Sequence, residues 1–151
     1  MLHRLLTALD RVAPAPAVSA HCGGPCGVYD PASARIAAES VVAMTKKILD
    51  LDMSTGIEAH NTFTRFVAIK EEQAELTKHE LSILWHDYFK PNHLEAAPDL
   101  HDIVWNAIKA ASACKTSVSL ENCEALMAAV ENVHNIFWAS KGKDVPFVTV
   151  S

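Results

Sequence analysis

No apolar run in the chain approaches the roughly 18 residues needed to cross a bilayer, so a membrane-spanning helix does not organise it. Positive charge is also scarce. Thirteen Lys and Arg face 18 Asp and Glu, a formal net charge of −5, so the basic face required for nucleic acid or anionic lipid is missing. Four cysteines in 151 residues are too few for a disulfide scaffold to stand in for a core. Nothing between Asp30 and Gly142 alternates with period two, which argues against half-buried strands, and there is no internal repeat or long low-complexity segment. Half of the residues are apolar, enough for one ordinary core and too many for a disordered chain.

The apolar residues recur at helical intervals in four stretches. Asp30-Pro31 opens the first, with Asp30 as N-cap and Pro31 at the first helical position; Val41, Met44, Ile48 and Leu51 form its stripe. The second runs from about Asn61 to Phe89, with Phe63, Phe66, Ala74, Leu81, Leu84 and Tyr88 facing inward. Lys70, Glu71, Glu72 and Glu75 face solvent, and Pro91 stops the helix. Pro98-Asp99 opens the third, whose apolar face is Leu100, Ile103, Val104, Ala107, Ile108 and Ala111. Ser119 caps the fourth, which carries Leu126, Met127, Val130, Val133, Phe137 and Trp138 and stops at Gly142. The fold class is therefore all-α, an antiparallel four-helix bundle. The tail from Asp144 to Ser151 is apolar for a free end, which suits packing on the bundle or on a neighbouring subunit.

Residues 1–20 (MLHRLLTALDRVAPAPAVSA) differ from the rest. Leu2, Leu5, Leu6 and Leu9 fall on one side of a short helix that Pro14 and Pro16 break. A secretory signal would need an apolar stretch of about 7–15 residues, but the stretch Leu5 to Leu9 is closed by Asp10 and Arg11. The better reading is a removable pro-segment cut by a dedicated protease, with a cytoplasmic location. A retained tail is the bland alternative. The expected division is 1–20 as the pro-segment and 21–151 as a metal hook plus the bundle.

The segment from His21 to Gly27 adds nothing to a core, yet it holds a histidine and two thiols. If the chain is cut before His21, the new α-amine, the Cys22 amide nitrogen and the Cys22 thiolate form two fused chelate rings. Cys26 can return a second thiolate, with Gly23, Gly24 and Pro25 reversing the chain between them, and the His21 imidazole is available as an axial ligand. Such a square of nitrogen and sulfur suits nickel(II) or copper(II) better than tetrahedral zinc. The spacing alone also allows zinc with outside ligands, or a disulfide.

The run His21-Cys22-Gly23-Gly24-Pro25-Cys26-Gly27-Val28-Tyr29-Asp30-Pro31 resembles the hook motif of nickel superoxide dismutases, H-C-x-x-P-C-G-x-Y. The resemblance continues through Ser33 to Ser40, Ile69 to Leu76, Leu84 to Pro91 and Ile136 to Lys141. It covers essentially the whole chain after Ala20, and is greatest to the cyanobacterial branch. It implies a four-helix bundle assembled as a homohexamer, with one nickel ion per subunit cycling between Ni(II) and Ni(III) as superoxide is disproportionated. It further implies that His21, Cys22 and Cys26 are the metal ligands and that a cis peptide precedes Pro25. Tyr29 would stand over the open face of the metal, Tyr88 would hydrogen-bond to Tyr29 with Asp87 beside it, and Lys90 would attract the anion.

Four positions depart from the family pattern. Gly23 and Gly24 replace an Asp and a Leu, and Ala37 and Gln73 stand where some members keep a Glu and an Arg that steady the axial imidazole. These departures motivate the rival reading, a nickel- or copper-binding hook protein without turnover. Cys114 and Cys123 read as buried free thiols. His60, His79, His86, His93, His101 and His134 read as surface or satisfied core residues, and Trp85, Trp105 and Trp138 as core or subunit contacts.

Overall fold

The computed structural model describes residues 26–150. Helix α1 spans Ala32–Leu49, and a single 3-10 turn at Met53–Thr55 leads into α2, Ile57–Ile83. A π-helical turn, Leu84–Tyr88, continues α2. A short α3, Pro91–Ala96, precedes α4, Leu100–Thr116, and α5, Leu120–Ser140. No strand is found among the described residues. Around the bundle, α1 packs on α2 and α5, while α4 packs on α2 and α5. Each long helix thus has two neighbours, as in an up-down-up-down bundle.

The ends follow their local chemistry. Asp30 Oδ1 accepts the Ala32 N–H at 2.8 Å, so the expected side-chain cap is present although the helix begins one residue later. Ser119 Oγ accepts the Asn122 N–H at 3.2 Å and opens α5. At the other end of α5, Gly142 takes a φ of +64°. Its N–H returns to Ala139 O, and the next N–H, of Lys143, returns to Trp138 O. Only glycine adopts such a backbone readily.

Every element of the predicted inner faces contributes to one core. Val41, Ala74, Leu81, Leu84, Leu100, Val104, Ala107, Ala111, Leu126, Val130, Val133 and Phe137 are all buried. Phe63 and Phe66 are only half-buried. The 27 residues of α2 span about 40 Å, against about 27 Å for the 18 residues of α1, so α2 outruns α1, with Ala59 in its first turn still buried.

Two expectations need correction. The second helix does not run unchanged to Phe89, because its last turn widens and Pro91 begins a further short helix rather than simply ending one. Lys70 is not on a solvated face: it is 2% exposed. Its ammonium donates to Cys114 O, to Lys115 O at 3.0 Å and to Ser117 O at 2.8 Å. A helix leaves its last carbonyls without partners, and Lys70 supplies three donors to the end of α4. Glu71, Glu72 and Glu75 are exposed as expected, and Glu75 reaches Lys115 at 2.8 Å.

The tail packs on its own bundle. His134 Nε2 donates to Val145 O at 2.8 Å, and the Phe147 ring meets the His134 ring edge-on at 5.2 Å. Farther along, Val150 N–H donates to Glu39 Oε1 at 2.6 Å, while Arg35 holds the other Glu39 oxygen at 2.6 Å. His134 is buried, but its Nδ1 has no hydrogen-bond partner, so it is a core histidine satisfied at one nitrogen only.

Replacing the buried ammonium tests its role. Lys70→Met should lower the unfolding free energy by about 2–4 kcal/mol, because the carbonyls at the end of α4 lose charged donors. A urea titration showing a loss below about 0.5 kcal/mol would remove Lys70 from this role.

Candidate metal centre

His21 and Cys22, together with the turn Gly23-Gly24-Pro25 and its proposed cis peptide, lie outside the described residues. Cys26 is the first residue described and is exposed. Gly27, directly after it, has a φ of +68°, a left-handed conformation that strains any residue with a Cβ. This turn brings the chain from Cys26 onto the bundle end within three residues.

Tyr29 docks the segment there. Its ring lies 5.6 Å from the Tyr88 ring, tilted by 53°. Tyr88 is itself fixed from several sides. It packs on Phe137 at 4.4 Å, stacks on His93 at 5.3 Å and 12°, and lies under Lys141 Nζ, 4.9 Å from the ring centre. The π turn is what presents it: Phe89 N–H bonds to Leu84 O, five residues back, at 2.9 Å. One extra residue per turn shifts the side chains that follow around the helix axis.

The hydroxyls have a direction. Ser140 Oγ donates to Phe137 O at 2.6 Å, which uses its only proton. Tyr88 Oη, 2.6 Å from Ser140 Oγ, must therefore donate to it. The Tyr88 oxygen keeps its lone pairs for an acceptor role.

Lys90 is exposed and immediately precedes α3. Its backbone N–H donates to His93 Nδ1 at 2.9 Å, which leaves the His93 proton on Nε2. Lys90 thus sets the loop that holds the stacked His93, while its ammonium remains available to solvent. Asp87 is half-buried in the same turn. Ala37 is buried within α1, and Gln73 is half-buried on α2. Beneath Tyr29, Val28, Ser33, Glu80 and Leu84 help line a cavity of about 190 Å³.

The structure therefore brings Cys26, Tyr29, Tyr88 and Lys90 to one end of the bundle. Among the described residues, no three of His, Cys, Asp and Glu gather to hold an ion. Ser140, Lys141 and His93 were not singled out by the sequence. The first two stand in the run Ile136 to Lys141, but nothing local marks them as neighbours of Tyr88, which is 52 residues from Ser140.

Comparison with known proteins bears on this site. The family described as nickel-containing superoxide dismutase matches residues 16–141. Superoxide dismutase [Ni] from Streptomyces seoulensis is 46% identical over 129 residues, covering 85% of this chain and 94% of that protein. The Streptomyces coelicolor protein of the same name gives the same identity and coverage. Among solved structures, native nickel superoxide dismutase superposes with a TM-score of 0.72 at 45% identity, over 80% of this chain and 99% of the other. A structure of the enzyme with nickel ligation corresponding to the oxidised state gives 0.73 at 43% identity, over 82% and 100%.

The Tyr88–Ser140 bond is open to a double-mutant cycle. Ser140→Ala should cost about 1 kcal/mol in a urea titration, and Tyr88→Phe a similar amount. The double variant should cost less than their sum by at least about 0.5 kcal/mol. Strict additivity would show that the two hydroxyls are not coupled.

Proposed function

Because the chain belongs to the nickel-containing superoxide dismutase family, we propose that its metal centre is completed by His21 and Cys22 once residues 1–20 have been removed. The activity is the disproportionation of superoxide to oxygen and hydrogen peroxide, with nickel as the metal. The family match favours this enzyme over a nickel- or copper-binding hook protein without turnover.

The donors present fit nickel. The segment 21–29 offers two thiols, an imidazole and, after cleavage, an amine, and it contains no carboxylate. Soft sulfur and nitrogen donors suit nickel, whereas calcium or magnesium would find no carboxylate there. The ligands proposed are the amine and imidazole of His21, the amide and thiolate of Cys22, and the thiolate of Cys26. Bound nickel would supply a one-electron couple, accepting an electron from one superoxide and returning it to the next.

The observation that carries the role of the chain itself is the Tyr29–Tyr88 ring contact, three residues after Cys26. It holds an aromatic wall beside the hook that admits small anions and limits larger ones. Two protons are consumed for each peroxide formed, and the Tyr29 and Tyr88 phenols are proton-bearing groups at this end. Lys90 and Lys141 place positive charge around the approach in an otherwise acidic protein, which draws an anion inward.

Three further features belong to this reading. A dedicated protease frees His21, since the amine is a ligand only after cleavage. The protein works in the cytoplasm, consistent with the short, charge-closed apolar stretch Leu5 to Leu9. It assembles as a homohexamer. Apolar residues exposed along α2, namely Ile57, Ile69 and Leu76, support subunit contacts on that helix.

Two measurements test the proposal. The uncut chain supplied with nickel should not consume superoxide above background, whereas the chain beginning at His21 should; equal rates would contradict an amine ligand. Lys90→Gln combined with Lys141→Gln should lower kcat/KM by roughly 2–10-fold at low ionic strength, with the deficit shrinking as salt rises. A deficit independent of salt would rule out electrostatic attraction as the cause.

A further inference from the structure

At the end of the bundle away from the hook, Cys114 and Cys123 meet. Cys114 stands in the last turn of α4 and Cys123 in the first turn of α5, with only Ser117, Val118 and Ser119 between the helices. Both side chains are in the core, at 2% and 1% exposure. They belong to one core cluster, close enough for each thiol to act on the other's ionisation. From Cys123 to Ser140 is about 25 Å along α5, so the pair is remote from the hook.

The surroundings are not those of two inert sulfurs. Cys123 Sγ is hydrogen-bonded to Thr45 Oγ1 at 3.3 Å. Lys70 bonds the Cys114 carbonyl and places a buried positive charge beside both sulfurs. Contact with Cys114, aided by Thr45 and Lys70 against the opposing effect of burial, draws the Cys123 thiol toward its ionised form. Contact with Cys123 and burial push the Cys114 thiol up, so that it keeps its proton. One sulfur is thus favoured as nucleophile while the other holds a proton in reserve. Cys123 also lines a groove of about 560 Å³, together with Val42, Lys46, Glu124, Met127 and Phe147. A small neutral oxidant entering that groove would lie against Cys123.

We propose that Cys114 and Cys123 form a reversible dithiol–disulfide pair that responds to peroxide, the class of product dismutation releases. The Cys123 thiolate attacks one oxygen of hydrogen peroxide. The O–O bond breaks, a sulfenic acid forms, and the departing oxygen leaves as water after taking up a proton. The Cys114 sulfur then attacks the Cys123 sulfur. The S–S bond forms, the S–O bond breaks, and the Cys114 proton leaves with the second water. Two thiols lose two electrons and one peroxide becomes two waters. The new bond ties the end of α4 to the start of α5, and a cellular thiol reductant reverses it.

The test uses the mature, nickel-loaded protein with added hydrogen peroxide, so its outcome does not depend on dismutation and its failure would leave the enzyme assignment standing. Tryptic cleavage after Lys109, Lys115 and Lys141 places the two cysteines in separate peptides, 110–115 and 116–141. Under non-reducing conditions the oxidised protein should yield these peptides joined and lighter by two hydrogens, and dithiothreitol should separate them. Cys114→Ser or Cys123→Ser should abolish the joined species. The wild-type map decides even where a variant does not fold. Two fully alkylatable thiols after peroxide treatment, or sulfinic acid on Cys123 with Cys114 untouched, would overturn the proposal.

Discussion

The contact of the Tyr29 ring with the Tyr88 ring fixes where the leading segment of the chain begins its path along the bundle. Cys26 lies three residues earlier, and Gly27 supplies the one backbone conformation that lets the segment turn there. The rest of the site depends on that docking. Tyr88 is held by Phe137, His93 and Lys141, and its hydroxyl by Ser140. These partners come from the end of α5 and from α3, so an up-down arrangement that brings the end of α2 beside the end of α5 is a condition for the site. The bundle is the mould, and it presents Cys26 and Tyr29 at one end.

Burial of polar groups shapes the other end. Lys70 is a full positive charge removed from water, and it is tolerated because three main-chain oxygens of the α4 terminus receive its protons. The same cation biases the neighbouring sulfurs. Capping a helix and tuning a thiol are thus linked through one side chain. The two ends of the molecule divide the chemistry between them, with the exposed Cys26 and aromatic walls at one and a buried sulfur pair at the other.

Much of this was legible in the sequence. Periodicity located four helices and much of the core, since Val104, Ala107 and Ala111, or Val130, Val133 and Phe137, can share a face only on a helix, whereas the small buried residues Ala34, Ala37, Ala38 and Ala59 were not picked out. Asp30, Ser119 and Gly142 marked ends through chemistry local to a few residues. The hook motif pointed to the family. What escaped notice was non-local. Lys70 looks like any lysine beside two glutamates, and only the arrival of α4 44 residues later makes it a cap. Ser140 and Lys141 became part of the site through the tertiary approach of α5 to Tyr88. The widened turn at Leu84–Tyr88 left no compositional mark, because Leu, Trp, His, Asp and Tyr are all compatible with an ordinary helix.

That widened turn makes the site sensitive to spacing as well as to residue type. With Phe89 N–H reaching back to Leu84 O, one residue more is wound into the turn than an α-helix would take. Closing it to regular geometry would swing Tyr88 by about 100° around the axis, away from Phe137 and from Tyr29, without altering any side chain. Winding in this stretch is therefore a coordinate of function: a homologue of the same length whose turn closed to regular α geometry would retain the ingredients and lose their alignment.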